Sequence, residues 1–526
     1  MKKNHFLIVI LFNLILASAF YIEGLKSDVT AISGDLANII PICKKIDNPS
    51  LYTNDLYLDN LENVKYYTPF YIQTLRFVAK FTFYDYVQAL NVLGFFTHIL
   101  YGLLWFSLFY TLSKDFWLAF IFSVFFRGII WPPGMELFGI SDIWTIMPRT
   151  LFVALIPIPF LLFIYLKDKL LFLAPLVLGL LVNFHPISGV GCVLLYISIF
   201  LGHSYFENKI LKKDFFIKFS LYLILILIGM LPYLLSYFTN VKSSVLVNQN
   251  LFNEAFRARI DGIFFDGFLF FKSWFKPVTY FFGTGLLAYY FIDSSKGKKK
   301  FKIIFVTILL LLVVFNALPF LENSINNYFK TNLRFSFQLI RAQKFVMILM
   351  QIATFLLLVE MAKKFKITNK LKIAFCIGYL FLISLSTAPI VNKLPLLGED
   401  ITTYIYPNNL KFFPIPQIEN KALLDVYNYV NQNLPLDAVF YTKDIFFRTA
   451  TNRAEVLDFH AAGMLIEGNQ KAYTDLFFTL KKFKICNELD KIKILKTKKV
   501  NFIIDKTKWT TLELVFKNSE FYIYKL

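Results

Sequence analysis

Residues 296–321 read KGKKKFKIIFVTILLLLVVFNALPFL. From Ile303 to Leu321 no Asp, Glu, Lys or Arg interrupts the run, and at 1.5 Å per residue it extends about 28 Å as a helix. A bilayer's hydrocarbon core is about 30 Å thick and takes roughly 17 to 25 apolar residues, so this stretch reads as a membrane-crossing helix. Ten other apolar runs have the same character, at about 5–22, 86–112, 116–131, 149–166, 170–184, 187–202, 215–238, 277–293, 340–361 and 373–389. The runs at 116–131, 170–184 and 187–202 are short, and Asn183-Phe184-His185-Pro186 reads as a polar hairpin between the last two. The sequence therefore predicts an α-helical polytopic membrane protein of about eleven transmembrane helices.

Composition agrees. Of 526 residues, 57% are hydrophobic, 19% aromatic and 17% charged, with a mean hydropathy of +0.57. Soluble domains are about 25% charged, which argues against a soluble enzyme. The net charge of +20 would suggest nucleic acid in a soluble chain. Here the bases cluster in every second gap: Lys2-Lys3, Lys114, Lys167 with Lys169, Lys209 to Lys213, Lys296 to Lys302, and Lys363 to Lys372. By the positive-inside rule those gaps are cytoplasmic, so the charge encodes topology and no nucleic-acid partner is expected. The expected arrangement is a plasma (inner) membrane protein with a cytoplasmic N-terminus and an extracytoplasmic tail. Ala17-Ser18-Ala19 also fits a signal-peptide cleavage site, and cleavage leaves the next segment outside as well. Four Cys, at 43, 192, 376 and 486, have no metal-ligand or disulfide-framework spacing. No Asn-x-Ser/Thr sequon with x other than Pro occurs, which favours a bacterial or archaeal membrane.

Three regions outside the membrane are too long to be connectors. The first, 23–85, is acidic as far as residue 68, and Pro69 to Phe83 suits a helix lying in the interface. The second, 239–276, holds Arg257, Arg259, Asp261 and Asp266 among many Phe. The third is the tail. A helical pattern over Glu419 to Leu434, strand-like runs at Ala438 to Tyr441, Val500 to Ile504 and Phe521 to Tyr524, and a helix at about 469–484 predict an extracytoplasmic α/β domain. The expected domains are thus 1–389, a transmembrane bundle, and 390–526, the α/β domain.

Ionisable groups at the outer end of the bundle are the candidates for chemistry, because charge near lipid is costly and has a task or a partner. Asp35 suits a general base taking a proton from an attacking hydroxyl, or, with Ser33, a helix cap. Asp55 and Asp59, four apart, would share a helix face and position an acceptor or hold a divalent cation, the one cofactor the sequence suggests. His185 suits a proton shuttle or a phosphate ligand, or a turn histidine bonded to backbone. Arg127, Arg149, Arg334 and Arg341 all map near the outer interface, where forked guanidinium donors suit a phosphate and snorkelling anchors look the same. His98, in mid-run, reads as an interhelical hydrogen-bond partner. There is no Walker loop, His-Glu-x-x-His or nucleophile elbow.

The layout of one span, a large external loop with an early Asp, further spans and an external C-terminal domain resembles the GT-C class of membrane glycosyltransferases. More narrowly, Gly34-Asp35, Pro41, Asn48-Pro49-Ser50-Leu51-Tyr52-Thr53-Asn54-Asp55 and His185-Pro186 are similar to elements of uncharacterised bacterial GT-C-like proteins. Leu434-Pro435-Leu436-Asp437-Ala438-Val439-Phe440 and Thr451-Asn452-Arg453 resemble the start of their external domain. The resemblance implies inverting transfer of a sugar from a polyprenyl-phosphate donor to a lipid, glycan or protein acceptor, with Asp35 as base and an external Arg such as Arg341 on the phosphate. The chain departs from the class in having Leu36 after Asp35, no Trp-Trp-Asp and no Asp-x-Asp. Two other readings share the layout: a transporter or flippase of lipid-linked glycans, which predicts related halves and midplane charges, and a non-catalytic cell-envelope assembly protein.

Overall fold

The computed structural model describes residues 3–130, 146–166, 170, 172–207, 212–240, 248–275, 292, 295–394, 396–415 and 420–526. Helices dominate it. Seven are long and apolar enough to cross a membrane: Asn4–Gly24, Tyr86–Ser113, Pro148–Tyr165, Pro186–Phe206, Lys213–Thr239, Gly297–Phe329 and Ser336–Lys364. Phe116–Ile129 and Leu173–Val182 are shorter apolar helices, at two of the runs whose lengths were already short. The run at 373–389 forms a helix over Asn369–Ser384, and the expected span at 277–293 lies, except for Ile292, outside the described residues. Within Pro148–Tyr165 the helix re-forms at Pro157, the first residue of its second part, because proline lacks the N–H that an interior position needs.

The chain divides into two units. One comprises Met1–Leu25, Asn91–Pro232 and Asp261–Ile415, and the other Lys26–Leu90, Tyr233–Ile260 and Pro416–Leu526. In the first, close helix contacts rest on small residues. A Cβ on Gly179 would lie 2.2 Å from the Ile226 carbonyl oxygen, so only glycine admits the neighbouring helix at that distance. Arg127, 1% exposed, donates to Asn13 Oδ1 (2.9 Å) and the His98 carbonyl (2.7 Å). Its other nitrogen meets His98 Nδ1 at 3.1 Å, and its guanidinium lies over the Tyr101 ring. His98 is thus the interhelical partner its position suggested.

The second unit is built on a five-stranded sheet. β1 (Val439–Tyr441), β2 (Ala454–Glu455), β3 (Phe502–Asp505), β4 (Glu513–Lys517) and β5 (Tyr522–Lys525) are ordered β2-β1-β3-β5-β4. β1 runs parallel to β2 and β3, while β5 is antiparallel to β3 and β4. Helix Lys421–Asn433 turns Ala422, Leu423, Val426, Tyr427 and Val430 towards Phe440, Phe502, Ile504 and Ile523 in one core. This spacing of apolar positions is that of an amphipathic helix. The tail does not make this unit alone. Leu56 N donates to the Glu455 carbonyl (3.2 Å), Thr449 Oγ1 to that of Ala37 (3.0 Å), and Tyr52 Oη to that of Arg448 (3.1 Å). Helix Gln249–Arg259 joins through Tyr473 Oη, which donates to the Ala255 carbonyl at 3.0 Å. The boundary expected at 389/390 therefore differs from the unit boundary, since segments distant in sequence supply its hydrogen-bond partners. All four cysteines are free.

Candidate functional site

The first unit carries a cluster of cations. His185 caps helix Pro186–Phe206, its Nδ1 accepting from Ser188 N at 3.2 Å. That bond assigns the ring proton to Nε2 in the neutral imidazole, which leaves Nε2 a donor. Lys344, 2% exposed, donates to Ser188 Oγ, so histidine and lysine share one serine. Gly191 makes this approach feasible. A Cβ there would fall 2.5 Å from Ala342 Cβ and 2.8 Å from a Phe345 ring carbon. Lys344, Arg149 and Arg341 all act electrostatically on His185, and both arginines act on Lys344. Arg341 lies with its guanidinium 4.4 Å from the Phe264 ring centroid, and Arg149 Nη2 reaches Met147 Sδ at 3.2 Å. Behind them Gln343 is fixed by Trp274 Nε1 (2.6 Å) and by Asn316 Oδ1 (3.0 Å).

Four basic groups, on Pro148–Leu155, at the cap of Pro186–Phe206 and on the segment Ile340–Lys344, lie within electrostatic range of one another, and such a grouping suits an anion with several oxygens. A phosphate accepts several charge-assisted hydrogen bonds at once, and a partly water-excluded position strengthens each of them. Of the residues singled out in the sequence, His185, Arg149 and Arg341 lie within electrostatic range of one another here. Arg127 is committed instead to Asn13 and His98, because a guanidinium among apolar helices has to saturate its donors with protein acceptors. Arg334, in the loop before Ser336, donates to the Asn332 carbonyl at 3.2 Å. Lys344 was missed. Its signal was present, since it stands three residues after Arg341, on the same helix face, at the end of a run where positive charge opposes the inside rule.

In the second unit, Asp35 is the second residue of helix Gly34–Asp47, and Ser33 is the cap, its Oγ accepting from Leu36 N at 3.4 Å. The two roles weighed for Asp35 are thereby separated: capping belongs to Ser33. Gly34 packs beneath His460, where a Cβ would sit 3.0 Å from Cε1 and Nε2 of the imidazole. His460 Nε2 is buried and has no hydrogen-bond partner among the described residues. The His460 backbone is fixed from two sides. Its N–H donates to Asp458 Oδ1 (2.7 Å), and its carbonyl accepts from Arg259 Nη2 (3.0 Å). Nothing in the spacing around His460 marked it in the sequence.

Asp55 and Asp59 do not share a helix face. They lie in successive turns in which Tyr52 and Asn54 take left-handed backbone angles, after Pro49 and its neighbours have ended the preceding helix. Asp59 accepts from Asn54 N (2.9 Å). Asp55 is buried, and accepts from the backbone N–H of Tyr57, Leu58 and Glu455 and from Arg448 Nε at 2.7 Å. Arg448 also bonds Asp458 Oδ2 and the Glu455 carbonyl, with Glu455 Oε2 3.1 Å from Nη1. A guanidinium thus occupies the centre of the carboxylate group. Among the described residues no group of three or more His, Cys, Asp or Glu is arranged to hold a metal ion.

Burial pushes the Glu455 carboxyl well above its ordinary value of 4.5; Arg448 opposes this and the carboxylates of Asp458 and Asp55 add to it. The folded state therefore retains a proton that the unfolded chain releases. Stability from this group is present below about pH 4.5 and is lost as the pH rises through the raised value. Glu455→Gln should flatten the pH dependence of the urea midpoint between pH 5 and 9 and raise the midpoint at the alkaline end. Parallel curves for the two proteins would remove Glu455 as the titrating group.

No protein-family model matches the chain, and no curated protein matches it.

Proposed function

We propose that this chain is a membrane glycosyltransferase that moves a sugar from a polyprenyl-phosphate-linked donor to an acceptor on the extracytoplasmic face. The observation that carries the reading is that His185 and Lys344 bond the same serine, with Arg149 and Arg341 close enough to act electrostatically on both. In the reaction, an acceptor hydroxyl oxygen attacks the anomeric carbon as the bond from that carbon to the phosphate oxygen breaks, with inversion. The resemblance to GT-C enzymes, and not a contact with the cluster, assigns Asp35 as the base that takes the hydroxyl proton. The electron pair leaves with the phosphate, whose growing charge the cationic cluster stabilises, and His185 donates a further hydrogen bond from Nε2. The accompanying topology is eleven crossings with the N-terminus inside and the tail outside. A lipid carrier requires a protein embedded beside it, and the seven long apolar helices suit that setting.

Carrier binding tests the reading directly. In nanodiscs containing a polyprenyl phosphate, Arg341→Ala and Lys344→Gln should each weaken binding by about tenfold or more, the range expected when a hydrogen-bonded charge is removed from a buried anion site. The full protein should also bind less tightly as salt rises. Equal affinity in both variants and in the parent protein would end the assignment of this cluster to a phosphate.

A further inference from the structure

The second unit contains a cavity of about 360 Å³, walled by Lys44, Tyr84, Asp85, Tyr427, Asn428 and Asn431 among others. It has no part in the phosphate cluster or the proposed base. We propose that this cavity binds a neutral saccharide unit. The inference extends the transferase reading by giving a sugar-bearing acceptor a second point of attachment.

The lining excludes simpler occupants. Lys44 Nζ donates to the Thr449 carbonyl (2.8 Å) and to Asn452 Oδ1 (2.7 Å). An ammonium has three donors, so one N–H remains. Burial lowers the Lys44 pKa to about 8, with Asp85 pulling the other way. Asp85 accepts from Val87 N and Gln88 N through Oδ1, and its Oδ2 makes no hydrogen bond among the described residues. Asn431 is held by Arg453 Nη1 (2.8 Å) and by the Ala450 carbonyl (3.2 Å). Asn428, one turn earlier on the same helix, is exposed and offers an amide with both a donor and an acceptor. An anion would meet Asp85, a cation would meet Lys44, and an apolar ligand would leave these groups dry. A sugar's hydroxyls each donate and accept, and so match groups of both kinds.

Ring geometry supports the same class. Phe83 and Tyr84 are consecutive residues with φ of 52° and 62°, a conformation that is strained for bulky side chains and clusters at ligand clamps. The Tyr84 ring is thereby held half-exposed at the cavity wall, where its face can cover the C–H face of a pyranose. The volume lies at the small end of ligand sites, which begin at about 300 Å³, and suits one or two sugar rings better than a chain. Tyr84 and Asp85 immediately precede Tyr86–Ser113, one of the seven long apolar helices, and Phe83 is 96% exposed. Both a free saccharide and the headgroup of a membrane-anchored glycan fit that position.

The test uses the full chain in nanodiscs with methyl glycosides of glucose, mannose and N-acetylglucosamine, and maltose, followed by saturation-transfer NMR and titration with glycerol as the control. At least one sugar should bind, and Asn428→Ala and Tyr84→Ala should each weaken it by about fivefold or more. Asn428 is an exposed helix residue, so its variant stays folded even where Tyr84→Ala does not. An alkyl glycoside of the same sugar in the bilayer separates the sources. Tighter binding with the same losses identifies an anchored headgroup, and equal binding identifies a free saccharide. No binding below about 10 mM, or binding insensitive to both variants, overturns the proposal. Carrier binding measured on the same Asn428→Ala protein should be unchanged, so failure of the saccharide site and failure of the phosphate site are read separately.

Discussion

Asp35→Asn should lower sugar transfer by about 10²- to 10⁴-fold, the contribution of one general base, while the protein accumulates and binds its carrier as before. The structure makes this substitution more informative than the sequence alone allowed. Ser33 accepts from Leu36 N, so the side-chain cap of this helix sits at position 33 and is kept when Asp35 becomes Asn. Asn also removes a charge from the first helical turn, where a carboxylate's interaction with the helix dipole contributes about 0.3–1 kcal/mol. That loss is too small to mimic two to four orders of magnitude in rate. Ser33→Ala gives the complementary control, costing about 1 kcal/mol of helix stability with transfer retained. If Asp35→Asn transfers sugar at the parent rate, the base lies elsewhere and the scaffold reading gains. If both variants lose transfer together with carrier binding, the helix start is serving structure and not proton transfer.

What the sequence could reveal follows from the range of the forces involved. The apolar runs were legible because bilayer thickness imposes a length on each of them, and Ile303 to Leu321 falls within helix Ser295–Phe329. Strands β1, β3 and β5 were legible because each is a continuous apolar or aromatic run. β2 is only two residues long and β4 is mostly exposed, so neither left a hydrophobic pattern. The four arginines were indistinguishable in sequence, since a charge at a run's end reads alike as anchor, ligand or strut. Only the packing of Arg127 against Asn13, 114 positions away, and the grouping of Arg341 with Lys344 separate them. Asp55 is the clearest case. Its spacing to Asp59 suggested a helix face, yet its decisive partner, Arg448, is 393 residues distant, and no local pattern encodes such a pair.

That pair also predicts the largest change in stability. Arg448 is 1% exposed, and its side chain meets those of Asp55, Glu455 and Asp458 at 0%, 1% and 7% exposure. Removing one member of a buried ion pair strands the others, at a cost of about 3–5 kcal/mol. Arg448→Met leaves three carboxyl groups together without their cation, and should lose that amount. It should also release 26–90 from the tail, because Tyr52 and Asp55 are held at Arg448 and Glu455. Pulse proteolysis across a urea series should show both segments becoming cleavable together at lower urea. Asp55→Asn should cost less, since Glu455 Oε2, already 3.1 Å from Nη1, can release its proton and supply the missing charge. The two effects should combine less than additively in the double variant, as expected for residues in one network. A urea midpoint for Arg448→Met equal to that of the parent would show that the buried guanidinium is not what joins the first loop to the sheet.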